Sequence, residues 1–301
     1  MRLARYLNRI TENNTMKTVK NIKMALASAT SLFILCSAGY HYSKTDVIAQ
    51  QIESSSQTHE NLPTVTNKAF KSGEILSYRL HYGALNAGVA ILEVKPEVLN
   101  VSGREVYHIV ANGYTSGAAD WFFKVRDRYE TYMDKNALVP WLFVRRVDEG
   151  GFKFSQDYVF NHYTKKVDIG NGEKFDVPVG IQDMVSAFYT ARNLDLSNAK
   201  PGDLFSINSF VDKEVWPLKI KFVARETINT DIGKIRCLKF RPVVQKGRVF
   251  KHEEDLNVWI SDDANHIPVR VKADILIGSV KMDITSARNL NNPMAFDVKA
   301  N

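Results

Sequence analysis

Cysteine is nearly absent from this chain of 301 residues, which has only Cys36 and Cys237. One pair cannot build a disulfide framework, and Cys36 falls in a segment expected to be removed, so stability must come from a hydrophobic core. Hydrophobic residues make up 45% of the sequence, enough for a chain of this length to bury such a core. Cys237 lies in the strand-like stretch Ile235-Arg236-Cys237-Leu238-Lys239-Phe240 and reads as a buried, inert thiol.

Catalytic and cofactor signatures are also missing. There is no HExxH, and the scattered histidines show no metal-ligand spacing; His252-Glu253-Glu254-Asp255 reads as a solvated acidic stretch before a strand. Ser186 sits in Asp183-Met184-Val185-Ser186-Ala187, without the glycines that expose a nucleophilic serine, and no paired histidine is identifiable. Gly150-Gly151 and Gly170-Asn171-Gly172 are hairpin-turn chemistry and not a phosphate loop. No catalytic residue, metal or cofactor is assigned.

The net charge of +7 suggests a basic protein until its distribution is considered. Residues 1–38 hold Arg2, Arg5, Arg9, Lys17, Lys20 and Lys23 against Glu12 alone, a surplus of five. The rest carries 34 basic and 32 acidic side chains, a surplus of two. A near-neutral body has no concentrated basic face, so nucleic acid is excluded as a partner.

Long apolar runs are lacking too. The longest, Met24 to Ala38, spans 15 residues, short of the roughly 20 that a spanning helix needs. With Lys17, Lys20 and Lys23 before it and small residues at its end, it reads as a secretory signal peptide cleaved after Ala38, with Met16 a candidate true start. Retention as an anchor is the alternative, and lipidation at Cys36 fits poorly because the bulky Leu35 precedes it. The expected address is the periplasm or cell envelope. Membrane contact is expected only through the leader or a lipid anchor.

Residues 39–69 are polar and aperiodic, as in a tether. A single domain is expected over 70–290, followed by a tail at 291–301. Within it, Leu76, Tyr78, Leu80 and Tyr82 alternate with Ile75, Ser77, Arg79 and His81, and similar strands are expected at about ten further places, including 125–134, 141–147 and 218–225. Val269 to Ile277 and Val280 to Ile284 fall in opposite registers, which predicts a turn or bulge at Gly278. Ile181, Met184, Val185, Phe188, Ala191 and Leu194 recur at helical spacing, so a helix is predicted over 181–194, with a shorter one at Ala118–Phe123. The expected fold is all-β and mainly antiparallel: a strongly curved sheet, barrel or half-barrel of about 10–14 strands with one amphipathic helix packed in its concavity.

Several motifs resemble one family. Gly73-Glu74-Ile75-Leu76-Ser77-Tyr78 with Tyr82-Gly83, then Asn86-Ala87-Gly88, is similar to the opening of the DUF3108 proteins. Asp127-x-Tyr129-x-Thr131-Tyr132-x-Asp134, Asp183-x-x-Ser186-x-x-Tyr189-x-x-Arg192 and Trp259-x-Ser261-Asp262-Asp263 continue the likeness over about 70–290. The resemblance implies an exported, β-rich bacterial protein without an assigned activity, and it carries over no catalytic residue.

Four residues are candidates for ligand binding. Asp127 shares a strand face with Val125, Tyr129 and Met133, and a carboxylate facing a core must be paired, hydrogen-bonded or neutralised. It is either a structural group bonded to Arg192 or to strand ends, or a polar anchor or acid/base in a cavity. Asp183, Ser186, Tyr189 and Arg192 lie along one flank of the helix, where they tether it to the sheet or, for Tyr189 and Arg192, contact a ligand. Trp121, Phe122 and Phe123 cannot all face inward from one short helix, so they form either a cap over the barrel end or a lip for a membrane or partner. The leading expectation is a non-enzymatic binder of an amphipathic ligand or envelope partner: a lipid, a glycan or a protein. A structural or assembly factor of the envelope comes second and an envelope hydrolase third.

Overall fold

Alternation of period two along most of the chain builds a single sheet of 14 antiparallel strands in a computed structural model that describes residues 62–243, 255–275 and 278–297. The signal peptide with Met16, Cys36 and Ala38, most of the tether, His252 to Glu254, Ile277 and residues 298–301 lie outside the described residues. The first meander runs through β1 (Ile75–Tyr82), β2 (Leu85–Val101), β3 (Arg104–Thr115), β4 (Arg126–Asp134), β5 (Pro140–Glu149), β6 (Phe152–Asn161), β7 (Lys166–Asp168) and β8 (Lys174–Asp176). A second runs through β9 (Leu204–Val211), β10 (Glu214–Thr230), β11 (Gly233–Pro242), β12 (Leu256–Ser261), β13 (Pro268–Asp274) and β14 (Ser279–Arg288). Pairing of β14 with β1 joins the two, so β8 and β9 are the sheet's outer edges.

The sheet is unclosed, yet its edges approach each other. Gln182, in the segment after β8, makes a parallel bridge to Ser209 on β9, its N–H donating to Asn208 O at 2.9 Å and its C=O accepting from Phe210 N at 2.7 Å. Bulges at Val94/Val98 in β2 and at Phe222/Ala224 in β10 bend the two longest strands, as bulges do. The turn expected at Gly278 is present: Ile275 N donates to Gly278 O, and the glycine has φ +85°.

Register brings one inner face together across β1 to β6. Tyr78 lies opposite Ala90, Leu92 opposite Ala111, Ala111 opposite Tyr129, Thr131 opposite Phe143 and Phe143 opposite Tyr158. Leu76, Tyr78, Leu92, Phe143, Tyr158, Phe160 and Phe210 are fully buried in the main core. Each such side chain contributes about 1.5 to 3 kcal/mol of burial.

Among the described residues two helices interrupt the strands: α1 (Gly117–Phe122) and α2 (Met184–Ala191). The second is shorter than the 181–194 expected. Gln182 is held extended by β9, and Asp183 caps the helix, its Oδ1 accepting from Val185 N and Ser186 N at 2.7 and 2.8 Å. At the other end Arg192 is the C-cap. Val185 and Tyr189 join the main core, and Asp183 Oδ2 accepts from the inner-face hydroxyl of Thr131 at 2.5 Å.

The ends of the domain differ from the sequence reading. Within the expected tether, Ala69 is buried, Val65 N donates to Asn136 O and Asn67 bonds Phe70 O. Within the expected tail, Ala295 is buried, Phe296 bridges Ile235 and Asp297 N donates to Lys234 O. In both places polar groups find hydrogen-bond partners within the fold, which outweighs the polar composition of the side chains. Among the described residues no helix is long and apolar enough to cross a membrane.

Candidate functional site

Because neighbouring strands are antiparallel, their turns alternate between the two rims of the sheet. The β1–β2, β3–β4, β5–β6, β7–β8, β9–β10 and β13–β14 connections all fall on one rim. A bond of 2.9 Å between Lys213 Nζ and Glu173 Oε2 joins two of them directly. This rim carries the exposed aromatics.

The β3–β4 connection contains α1. Its six residues bury none of their own side chains, so the helix is held by polar bonds and by the packing of Phe123, the residue after its last turn. Asp120 accepts from Thr115 Oγ1 at 2.7 Å and from both arms of the Arg126 guanidinium at 2.7 and 3.1 Å. The bonds from Arg126 and then Thr115 lower the Asp120 carboxyl to about 2. Phe123 turns away from its neighbours and packs on Gly150, where a Cβ would come within 2.2 Å of the ring. Trp121 and Phe122 remain outside, 83% and 57% exposed, with their rings edge to face at 4.8 Å. The three aromatics named by the sequence therefore separate: two form an exposed pair, and the third anchors the platform that presents them. Leu85, Phe152, Val215 and Trp216, at the starts of β2, β6 and β10, are exposed on the same rim.

Asp127 sits just inside this rim and is only 4% exposed. It faces inward with Tyr129 and Met133, as the alternation requires. Its Oδ1 accepts from Asp148 N at 3.2 Å. Burial and then the neighbouring Glu149, which is hydrogen-bonded to it, raise its carboxyl to about 8. The Asp127 carboxyl therefore holds its proton at neutral pH. Arg145, also buried, stands opposite Tyr129 on β5, lies 5.8 Å from that ring and 5.0 Å from the Phe154 ring, and reaches Asp212 Oδ1 at 3.4 Å. Gly113, directly opposite Asp127 on β3, leaves open space: a Cβ there would meet nothing within 4 Å.

Tyr189 and Arg192 belong to a different cluster. Arg192 does not bond Asp127; its acceptors are Glu74, Ala69 O and Asn265 O. The pair with Glu74 is bidentate, and its members are fully buried beside Tyr78, Tyr189 and Phe70. The four proposed ligand residues thus divide: Asp127 and Tyr129 stand with Arg145 and Glu149 near the aromatic rim, while Tyr189 and Arg192 stand with Glu74. Arg145 and Glu74 were missed. Arg145 carried the same signal as Asp127, a charge in the inward register of a strand, between Phe143 and Val147. Among the described residues no group of three or more His, Cys, Asp or Glu is placed to hold a metal ion.

Comparison with solved structures finds chains similar in trace. A β-barrel-like protein of the domain of unknown function DUF1849 from Brucella abortus is 12% identical, with 73% of this chain and 98% of that one covered at a TM-score of 0.48. A DUF1089 family protein from Pseudomonas aeruginosa is 8% identical, with 62% and 90% covered at a TM-score of 0.36. No curated protein matches the chain. The profile of DUF3108, a protein family of unknown function, matches residues 77–285. These bounds run from the middle of β1 to the middle of β14, the two strands that join the meanders, and the chain belongs to the DUF3108 family.

Proposed function

We propose that this protein is an exported, non-enzymatic component of the cell envelope that binds an amphipathic partner, a lipid surface, through the rim carrying Trp121 and Phe122. The observation that carries this reading is the exposure of two adjacent aromatics. A platform stapled by Asp120, Arg126 and Phe123 holds a Trp that is 83% exposed, where a chain with no use for it would bury the ring or lose it. Trp and Phe on an exposed edge enter the headgroup boundary of a bilayer, and Lys124, which follows them in the chain, suits its anionic surface. Export rests on Lys17 to Ala38, which reads as a leader.

Along β1 to β6 the inner face is occupied by Leu76, Tyr78, Tyr158 and their neighbours. This favours recognition at the rim over a ligand enclosed within the sheet.

Co-flotation of the mature protein with phosphatidylethanolamine/phosphatidylglycerol vesicles tests the reading. The wild type is expected to float and the Trp121→Ala/Phe122→Ala variant to stay behind, with the variant's stability within about 0.5 kcal/mol of wild type because neither ring is buried. Equal flotation of both proteins, or none by the wild type, overturns it. Capture of an envelope protein that depends on the same two rings, with no vesicle binding, would instead favour the assembly-factor reading.

A further inference from the structure

The outer face of β1, β13 and β14 carries a second site, far in chemistry from the aromatic rim. Register places Arg79 opposite Asp283, His81 opposite Lys281 and Arg270 opposite Asp283. The end of β10 and the turn after it bring Asn229, Thr230 and Asp231 beside these side chains, bordering an open pocket of about 300 Å³.

The bonding in this pocket leaves donors over. Asp231 Oδ2 takes Arg79 Nη1 at 2.6 Å. Asp283 takes Arg270 Nε on one oxygen and Lys281 Nζ, at 2.7 Å, on the other. Arg270 Nη2 donates to Asn229 O at 3.1 Å. Among the described residues, no protein acceptor meets Arg79 Nε and Nη2 or Arg270 Nη1. Three permanent cations therefore face two carboxylates, and each carboxylate is already engaged. His81 Nε2, 4.0 Å from Asp283, adds a further donor when it carries a proton.

We propose that this pocket binds phosphate or a phosphate monoester. Guanidinium forks with free N–H groups bind tetrahedral oxyanions through paired, charge-assisted hydrogen bonds, and a lysine adds a point charge. The volume lies at the low end of ligand sites, room for a phosphate with a small substituent. The ion pair with Asp231 is solvent-exposed, so exchanging that acceptor for phosphate costs little.

Titration of the mature protein with sodium phosphate and with glycerol 1-phosphate, against sodium chloride at equal ionic strength, tests the proposal. The readout is the amide NMR shifts of Asn229 to Asp231 and His81. Saturable shifts are expected with phosphate and not with chloride, at a Kd of about 1 mM. Arg79→Gln should weaken binding about tenfold, and Asp231→Asn, which releases Arg79, should strengthen it about threefold. The opposite signs separate a site from a loss of structure. Shifts no larger than those from chloride, or variants that both bind as the wild type does, overturn the proposal. Vesicles bearing phosphatidate, presented to the Trp121→Ala/Phe122→Ala variant, distinguish the sources. Retention competed by free phosphate assigns a lipid headgroup, and soluble binding without retention assigns a free phosphate.

Discussion

Glu74 and Arg192, 118 residues apart in sequence, meet in the interior as a two-armed ion pair: Nη1 to Oε1 at 2.6 Å and Nη2 to Oε2 at 2.8 Å. Arg192 Nε and Nη2 also donate to Asn265 O and Ala69 O. One guanidinium thus ties the start of β1, the end of α2, the β12–β13 turn and the segment preceding the sheet. A charge in such a place is tolerated because nearly every donor has an acceptor.

Removing one partner should therefore cost more than removing both. Arg192→Met is expected to lose about 3 to 5 kcal/mol because it strands the Glu74 carboxylate, and Glu74→Leu/Arg192→Met to recover at least about half of that. Urea denaturation of the two variants measures the difference. A double variant no more stable than the single one would show that the backbone acceptors of Arg192 dominate.

The Asp127–Glu149 pair predicts a dependence on pH. Asp127 has its carboxyl raised to about 8 in the folded protein against an ordinary value of 3.8. Its contribution to stability is thus full below about pH 4 and is lost as pH rises through about 8. Asp127→Asn stays neutral throughout, so the variant should gain on the wild type between pH 6 and 9, by about 1 to 3 kcal/mol. Comparing the two proteins cancels Asp183, whose carboxyl burial raises to about 6 and which shifts stability in the same direction at lower pH. Parallel pH curves would rule out a raised Asp127 carboxyl.

Gly150 makes room for Phe123. With φ at +58° and a ring atom 2.2 Å from where a Cβ would stand, Gly150→Ala incurs both backbone strain and a clash. A loss of about 2 to 4 kcal/mol is expected in thermal unfolding, and adding Phe123→Ala should remove the clash part while leaving about 1 kcal/mol of strain. The single variant should also weaken vesicle flotation, because Phe123 anchors the Trp121 platform.

Burial pushes the Cys237 thiol up to about 12. In the native protein it should resist iodoacetamide at pH 8, and in urea it should react fully. Peptide mass mapping reads the label at this cysteine alone. Rapid native labelling would mean that β11 opens locally on the time scale of the reaction.

Much of the architecture was legible because a strand exposes alternate residues. The period-two runs located β1 to β6 and β9 to β14, though the two longest, β2 and β10, extend well beyond the expected runs, and the inward register of Asp127 followed from its neighbours Val125, Tyr129 and Met133. The same logic applied to β5 would have identified Arg145. The start of α2 was misplaced because Ile181 fits the helical spacing while the backbone of Gln182, next to it, is held extended by β9, a partner distant in sequence. Trp121, Phe122 and Phe123 looked alike as a run, and only the open space of Gly150 across the rim decided which ring would be covered.

The sequence by itself determined the strand count to within its range, the antiparallel class and the near-neutral charge of the body. These depend on side-chain periodicity and composition, which are local. The tertiary structure decided that Arg192 answers Glu74 and not Asp127, that Asp127 is buried beside Glu149, and that Arg79, Arg270 and Lys281 converge on one pocket. Each of those depends on register across several strands and on how far the sheet curls. Those quantities are set by the packing of the whole molecule, because the energy of a buried charge is fixed by the groups that surround it in space.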